Sequence, residues 1–163
     1  MTSKSEASAR ESADPASESF LLEKSPFYLM AQANGLYTLL MERSLKAVGM
    51  DLPRWRVLMV VFEKSPSTIT EISKRAVMKL STMTKVAQRL EKEGFVKLAS
   101  NKKDARITDV RLLKKGQKAV ETIREVASKI YQEATADFSE EEISNLKALL
   151  EKLGKSLGPD RFL

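Results

Sequence analysis

The sequence predicts a mainly α-helical protein that carries one small β-hairpin. Three observations lead there. Apolar residues recur at three- and four-residue spacing through several long stretches, which is the helical period. Two short runs, FVKLAS (95–100) and RITDVRL (106–112), mix apolar and polar residues in strand fashion around a polar loop. A hydrophobic content of 42% in 163 residues is enough for one domain-sized core and too little for two large ones.

The elements follow in chain order. Residues 1–24 open with MTSKSEASARESADPASES, which has almost nothing to bury and reads as a disordered tail. From Pro26, the residues Leu29, Met30, Ala33, Leu36, Tyr37, Leu40 and Met41 mark an amphipathic helix that runs to about Val48 and stops at Gly49. Leu52 and Pro53 open a second helix, since proline suits a first turn, and Trp55, Leu58, Met59 and Phe62 lie along its apolar surface. Ser65-Pro66-Ser67 breaks it. Thr68 and Glu71 have the spacing of a capping box, so a short third helix starts there with Ile69, Ile72 and Ala76 facing inward. The fourth helix is LSTMTKVAQRLEKEG (80–94), with Met83, Val86, Ala87 and Leu90 on one face and Gly94 as its left-handed stop. A hairpin follows over the loop Asn101 to Ala105, with Phe95, Leu98, Ile107, Val110 and Leu112 as its apolar positions. After Gly116 comes a long helix lined by Val120, Ile123, Val126, Ala127, Ile130 and Tyr131. Ser139 to Glu142 then opens a last helix with Ile143, Leu146, Leu149, Leu150 and Leu153.

Composition removes whole classes of function. Without Cys there is no disulfide framework, thiolate nucleophile or thiol redox sensor. Without His, the commonest metal ligand and the commonest general base near neutral pH are both missing, so no metal and no cofactor is expected. No nucleophile elbow, glycine-rich phosphate loop or spaced carboxylate set stands out, and an enzyme is not expected. No run of ~18 apolar residues is present to cross a bilayer. The first residues lack the apolar centre of a signal peptide and are too acidic for a transit sequence, so the expected address is cytoplasmic.

Charge points to a partner. The net charge is +6, yet Lys64 through Lys118 holds 15 basic residues against 5 acidic ones, while the rest of the chain is net acidic. Positive charge gathered into one block suits a polyanion, although a solvated lysine-rich face has the same composition. Geometry separates the two readings. On the fourth helix Ser81, Thr82, Thr84, Lys85, Gln88, Arg89 and Lys92 fall off the apolar face, and no acid joins them before Glu91. Short hydroxyls can approach phosphates or base edges closely, and Lys85 and Arg89, one turn apart, reach farther along a groove. A major groove ~12 Å wide admits such a helix. The third and fourth helices, joined by Arg75-Ala-Val-Met-Lys79, therefore read as a helix-turn-helix with the fourth as its reading helix. A hairpin after it makes a winged helix. Lys102, Lys103 and Arg106 on the wing can lie along the DNA backbone or enter a minor groove, where narrow A·T-rich stretches concentrate negative potential. Asp104 is repelled by phosphate, so its expected task is to orient Arg106 through a charge-assisted pair.

From about Pro26 to Leu157 the chain resembles the MarR family of winged-helix transcriptional regulators. The resemblance is carried by RWRVL (54–58), ITEISKRA (69–76), STMTKVAQRLEKEGFV (81–96), Asp104-Ala-Arg106 and VRLLKKGQK (110–118). Leu113 stands where the family commonly has threonine. The resemblance implies a homodimer on a pseudo-palindromic double-stranded DNA operator, usually a repressor relieved by a small molecule. The implied layout has one domain over residues 25–163, with dimerisation helices over 25–50 and 116–158 and a winged helix-turn-helix lobe over 52–115. In similar proteins the effector pocket lies near the first, second and fifth helices. Tyr28, Tyr37, Trp55 and Arg56 fall in the matching segments, where an aromatic carboxylate could stack on rings and pair with an arginine.

The apolar stripes argue for the dimer independently, because those of the first and last helices exceed what a small winged helix covers. A two-fold axis would then set two reading helices about one turn, ~34 Å, apart. A monomeric helical core is the alternative for the stripes, and plain core packing is the alternative for Tyr37 and Trp55. For function, the alternative is a constitutive or architectural nucleic-acid-binding winged helix without an effector. Either protein would be associated with the nucleoid.

Overall fold

The computed structural model describes residues 8–158. The chain forms two compact units, Met1–Met41 and Glu42–Leu163.

In the first unit, much of the segment expected as a disordered tail makes turns. Two 3₁₀ turns, Glu11–Ala13 and Leu22–Lys24, are present. Ser8 and Glu11 bond reciprocally, the Ser8 amide donating to the Glu11 carboxylate at 2.9 Å and the Glu11 amide to the Ser8 hydroxyl at 3.2 Å. Short polar side chains can close a local turn in a segment that has nothing to bury. Residues 1–7 of that tail lie outside the described residues. Helix α1, Pro26–Ala47, begins in this unit. Of its expected stripe, Leu29, Met30, Leu36, Tyr37 and Leu40 are exposed, Leu36 to 65%, while Met41 is buried. Among the described residues, this apolar side of the helix is left exposed.

The second unit is built around α2, Leu52–Glu63. Asp51 caps it by accepting from the Arg54 amide at 2.9 Å, Pro53 sits in the first turn, and Trp55, Val57, Leu58 and Val61 are buried. Phe62 instead faces solvent at 39% exposure, beneath the Arg124 guanidinium at 5.3 Å. Helix α3, Ile69–Ala76, starts at the expected capping box: the Glu71 amide donates to the Thr68 hydroxyl at 3.1 Å and the Thr68 amide to the Glu71 carboxylate at 2.7 Å. Helix α4, Leu80–Lys92, buries Met83, Ala87 and Leu90 against α2 and α3, and Gly94 follows it with φ at +77°.

Strand β2, Val96–Ser100, pairs antiparallel with β3, Thr108–Leu112, in the register Val96↔Leu112, Leu98↔Val110 and Ser100↔Thr108. The strands are shorter than FVKLAS and RITDVRL, so the loop extends over 101–107. Phe95 and Ile107 fall outside the strands, and the buried side of the sheet is made by Val96 and Val110. The period of a strand is two, so residues three apart, such as Ile107 and Val110, cannot share a face. A third strand, β1, Ser67–Thr68, pairs with β3 through Ser67↔Val110 and Thr68↔Asp109, giving the order β1-β3-β2. Two residues are too few to show alternation, which is why periodicity does not reveal β1.

Helix α5, Lys114–Ala134, leaves the sheet at a close joint. The Leu113 amide donates to the Phe95 carbonyl at 3.0 Å, and Gly116 packs so tightly that a Cβ there would overlap the Phe95 carbonyl oxygen and lie 2.9 Å from Leu112 Cδ1. Val120, Ile123 and Ile130 are buried. Helix α6, Glu140–Leu157, begins with a second capping box, Ser139 with Glu142, and buries none of its residues; Leu149 is 66% exposed. Among the described residues no helix is long and apolar enough to cross a membrane.

Two outcomes follow for stability. Gly116→Ala forces backbone against a β-carbon and should cost ~3 kcal/mol, the upper part of the overpacking range, as a lowered urea midpoint at unchanged slope. The second concerns pH: the Lys64 ammonium at 2.6 Å, then the Thr68 amide, hold the Glu71 carboxyl at about 2 against an ordinary 4.5. A depressed carboxyl contributes stability above its unfolded value that is lost as pH falls from 4.5 toward 2. Glu71→Gln should therefore fall less steeply than the native chain across that window, by at most ~1 kcal/mol because both partners are solvent-exposed.

Candidate nucleic-acid interface

The turn between α3 and α4 sets the direction of α4. Val77 adopts a left-handed conformation, φ 51° and ψ 49°, which is costly for a β-branched residue. Tight bonding holds it there: the Ser73 hydroxyl donates to the Met78 carbonyl at 2.6 Å and the Met78 amide to the Ser73 carbonyl at 3.1 Å. Sequence patterns miss this position because the residue is neither glycine nor asparagine.

Helix α4 then presents its polar side to solvent. Ser81, Thr82, Lys85, Gln88 and Arg89 are exposed and Thr84 is half-buried. The N-cap is Lys79, and it makes no side-chain cap bond, so α4 starts without a hydroxyl cap. The Thr84 hydroxyl donates back to the Leu80 carbonyl at 2.9 Å, which leaves its oxygen free to accept. No acid occupies the first turn of α4. Amides at such a helix start favour an anion.

Arg89 is not a free side chain. Its Nε donates to Glu93 at 2.9 Å and an Nη lies 3.3 Å from Asp51, so acids already engage the guanidinium before any DNA arrives. Both acids are shared with Arg54, whose side chain is 10% exposed and spends its donors on Asp51 at 2.9 Å, Glu93 at 2.6 Å and the Gly49 carbonyl at 3.0 Å. At Glu93, burial pushes the carboxyl up, but the bonds from Arg89 and Arg54 outweigh it and leave the group below its ordinary value. Glu91, two residues earlier, accepts from the Leu98 amide at 2.9 Å and pairs with Lys97, which ties α4 to β2 and holds its carboxyl low. Arg54 was hidden in RWRVL beside the more prominent Trp55.

On the wing, Lys102, Lys103 and Arg106 are exposed, Arg106 to 90%. Asp104 binds Arg106 three times, accepting from its Nε at 3.0 Å, its Nη2 at 2.9 Å and its backbone amide at 3.0 Å. The same bonds hold the Asp104 carboxyl below and the Arg106 guanidinium above their ordinary values. The geometry is that of an acid aiming an arginine.

The four residues read as an effector box fare differently. Trp55 lines an open groove of about 810 Å³ between α2 and α5, with Met59, Arg124, Lys129 and Tyr131. Arg56 does not line it; one Nη lies 4.0 Å from the Met78 sulfur. The groove's charged lining comes from α5, where Arg124 and Lys129 stand beside Glu121 and Glu125, polar positions that the apolar stripe passes over. Tyr28 and Tyr37 stand on α1 in the first unit, where the Tyr28 hydroxyl accepts from Gln32 at 2.8 Å.

A turn-linked helix pair with an acid-poor exposed face, flanked by a basic β-wing, defines a winged-helix DNA-binding protein. The sequence model of the MarR family matches residues 50–108. The HTH-type transcriptional repressor IacR of Pseudomonas putida is 41% identical over 138 residues, which is 85% of this chain and 83% of that protein. A mutant E. coli MarR solved in complex with operator DNA shares the fold with a TM-score of 0.70 at 24% identity, over 77% of this chain and 90% of its own. Bordetella bronchiseptica BpsR, solved in work on regulation of its DNA binding by 6-hydroxynicotinic acid, does so with a TM-score of 0.74 at 17% identity, over 82% and 96%. The chain belongs to the MarR family, whose members are transcriptional regulators and not enzymes.

Arg54→Met should cost about 2–3 kcal/mol in urea unfolding, because it takes from Asp51 and Glu93 the less exposed of the two arginines they share and leaves them only the exposed Arg89. That is less than the ~3–5 kcal/mol of a fully buried pair, since both acids reach solvent.

Proposed function

We propose that this chain is a ligand-responsive repressor that grips a pseudo-palindromic operator as a homodimer and is released by a small aromatic acid. The observation that carries the DNA reading is the acid-poor, solvent-facing side of α4 beside a wing arginine held by Asp104. Ser81, Thr82, Thr84 and Gln88 are the base-edge and phosphate hydrogen-bonding groups of the reading helix. Lys85, Lys102 and Lys103 neutralise phosphates, and Arg106 enters the flanking minor groove. Arg89 joins them by exchanging Asp51 for a phosphate while Glu93 keeps its Nε.

The homodimer is supported by uncovered apolar faces. The exposed leucines of α1, and those of α6, are what a second copy would bury. Repression is supported by the kinship with IacR. The effector reading is supported by the groove between α2 and α5, where Trp55 and Tyr131 offer rings and where Arg124 and Lys129, standing among Glu121 and Glu125, are the groups a carboxylate would pair with. Acting on operators places the protein at the nucleoid.

Selecting bound fragments from a genomic library, with sedimentation of the free protein, tests the reading. It expects one enriched inverted repeat and a two-chain species; a lone protomer or an unenriched pool overturns it. A thermal-shift screen with aromatic acids, followed by operator release, separates this repressor from a constitutive binder. On the selected duplex, Arg106→Ala should weaken binding by ~1–3 kcal/mol, while Lys85→Ala should weaken all sequences alike and lower the salt slope by about 1.

A further inference from the structure

The wing loop has no buried residue of its own between 101 and 107, yet its hydrogen bonds run in one unbroken series that starts inside the sheet. Asp109 begins it. This residue sits within β3, opposite Thr68 on one side and Ala99 on the other, and is 7% exposed. Aspartate is a poor strand former and a buried carboxylate is costly without a partner, so an apolar residue here would serve the fold better. Its Oδ1 accepts from the Asn101 side-chain amide at 2.8 Å. That commitment turns the Asn101 oxygen toward the loop, where it accepts from the Lys103 amide at 2.9 Å and the Asp104 amide at 3.3 Å. The backbone closes the same loop, Asn101 donating to the Ile107 carbonyl at 2.8 Å and Ile107 to the Asp104 carbonyl at 3.0 Å. Asp104 then binds the Arg106 amide, Nε and Nη2. The Asn101 amide fits in one orientation only, since exchanging its oxygen and nitrogen would face oxygen to a carboxylate and NH₂ to two N–H donors.

We infer that Asp109 and Asn101 are positioning residues for DNA binding: the buried carboxylate, acting through the Asn101 amide, fixes the loop from which Asp104 presents Arg106. The inference rests on the wing contact proposed above. Charge and position make opposite forecasts. If Asp109 acts only as a negative charge near DNA, removing it strengthens binding. If it acts as a hydrogen-bond acceptor, Asp109→Ala weakens binding, and Asp109→Asn, whose amide oxygen still accepts from Asn101, restores it.

The test uses the ¹⁵N-labelled full chain and a fluorescent duplex recovered by the genomic selection. Fluorescence anisotropy gives affinity, and hydrogen exchange reports the Lys103 and Asp104 amides and the Arg106 Nε–H. Asp109→Ala and Asn101→Ala should each weaken binding about 5- to 10-fold and speed exchange at all three groups, with the double variant no worse than either single one. Asp109→Asn should match the native chain in both readouts. Asn101 lies in the exposed-loop region, so its variant keeps the question answerable if Asp109→Ala fails to fold. Native exchange rates in Asn101→Ala, or tighter binding by Asp109→Asn, overturn the relay. If Arg106→Ala itself binds like the native chain, the wing contact falls; if Arg106→Ala is weak and Asn101→Ala is not, the relay alone falls.

Discussion

One guanidinium fixes where α4 ends. Arg54 is nearly buried, and its donors go to the cap of its own helix, to the carbonyl of the glycine that stops α1, and to Glu93 just past the end of α4. A buried cation must keep such partners, because the cost of leaving it uncompensated exceeds what any one bond contributes. The junction of α1 and α2 and the end of α4, 39 residues on in the chain, thus meet at one side chain. The apolar contacts of Met83, Ala87 and Leu90 set how deep α4 lies, and the Arg54 cluster sets its direction at the C-terminal end.

The surface follows from that placement. With its apolar side against α2 and α3, α4 turns a side to solvent on which hydroxyls, an amide and cations stand without an acid in the first turn. Its acids come late and are occupied: Glu91 holds β2, and Glu93 holds two arginines. The same economy appears on the wing, where Asp104 is wholly engaged with Arg106. Negative charge beside the exposed cations of α4 and the wing is committed to holding them in place.

Much of this was legible in the sequence, for identifiable reasons. Helix starts with short polar caps, glycine stops and three-to-four spacing are local signals, and α1 through α6 lie close to where those signals place them. The pairing of Asp104 with Arg106 is also local, two residues apart. What escaped is what depends on distant chain. The partners of Arg89 lie at Asp51 and Glu93, only one of them a neighbour; β1 exists because β3 offers it an edge; and Arg124 and Lys129 face a groove because Trp55 of another helix lies across it. The left-handed Val77 escaped for a different reason, since its backbone is imposed by Ser73 and Met78 against its own preference. Family resemblance placed Arg56 in the effector box, while the fold turned it toward Met78.

Gly116 has a mechanical meaning. The first turn of α5 is seated on the Phe95 carbonyl with no room for even a methyl group, and the Phe95 amide is bonded to Leu90 of α4. Such a seat behaves like a welded hinge plate: α5 cannot slide across it. Whatever displaces the start of α5 must therefore carry with it the residue that links the end of α4 to the root of the wing.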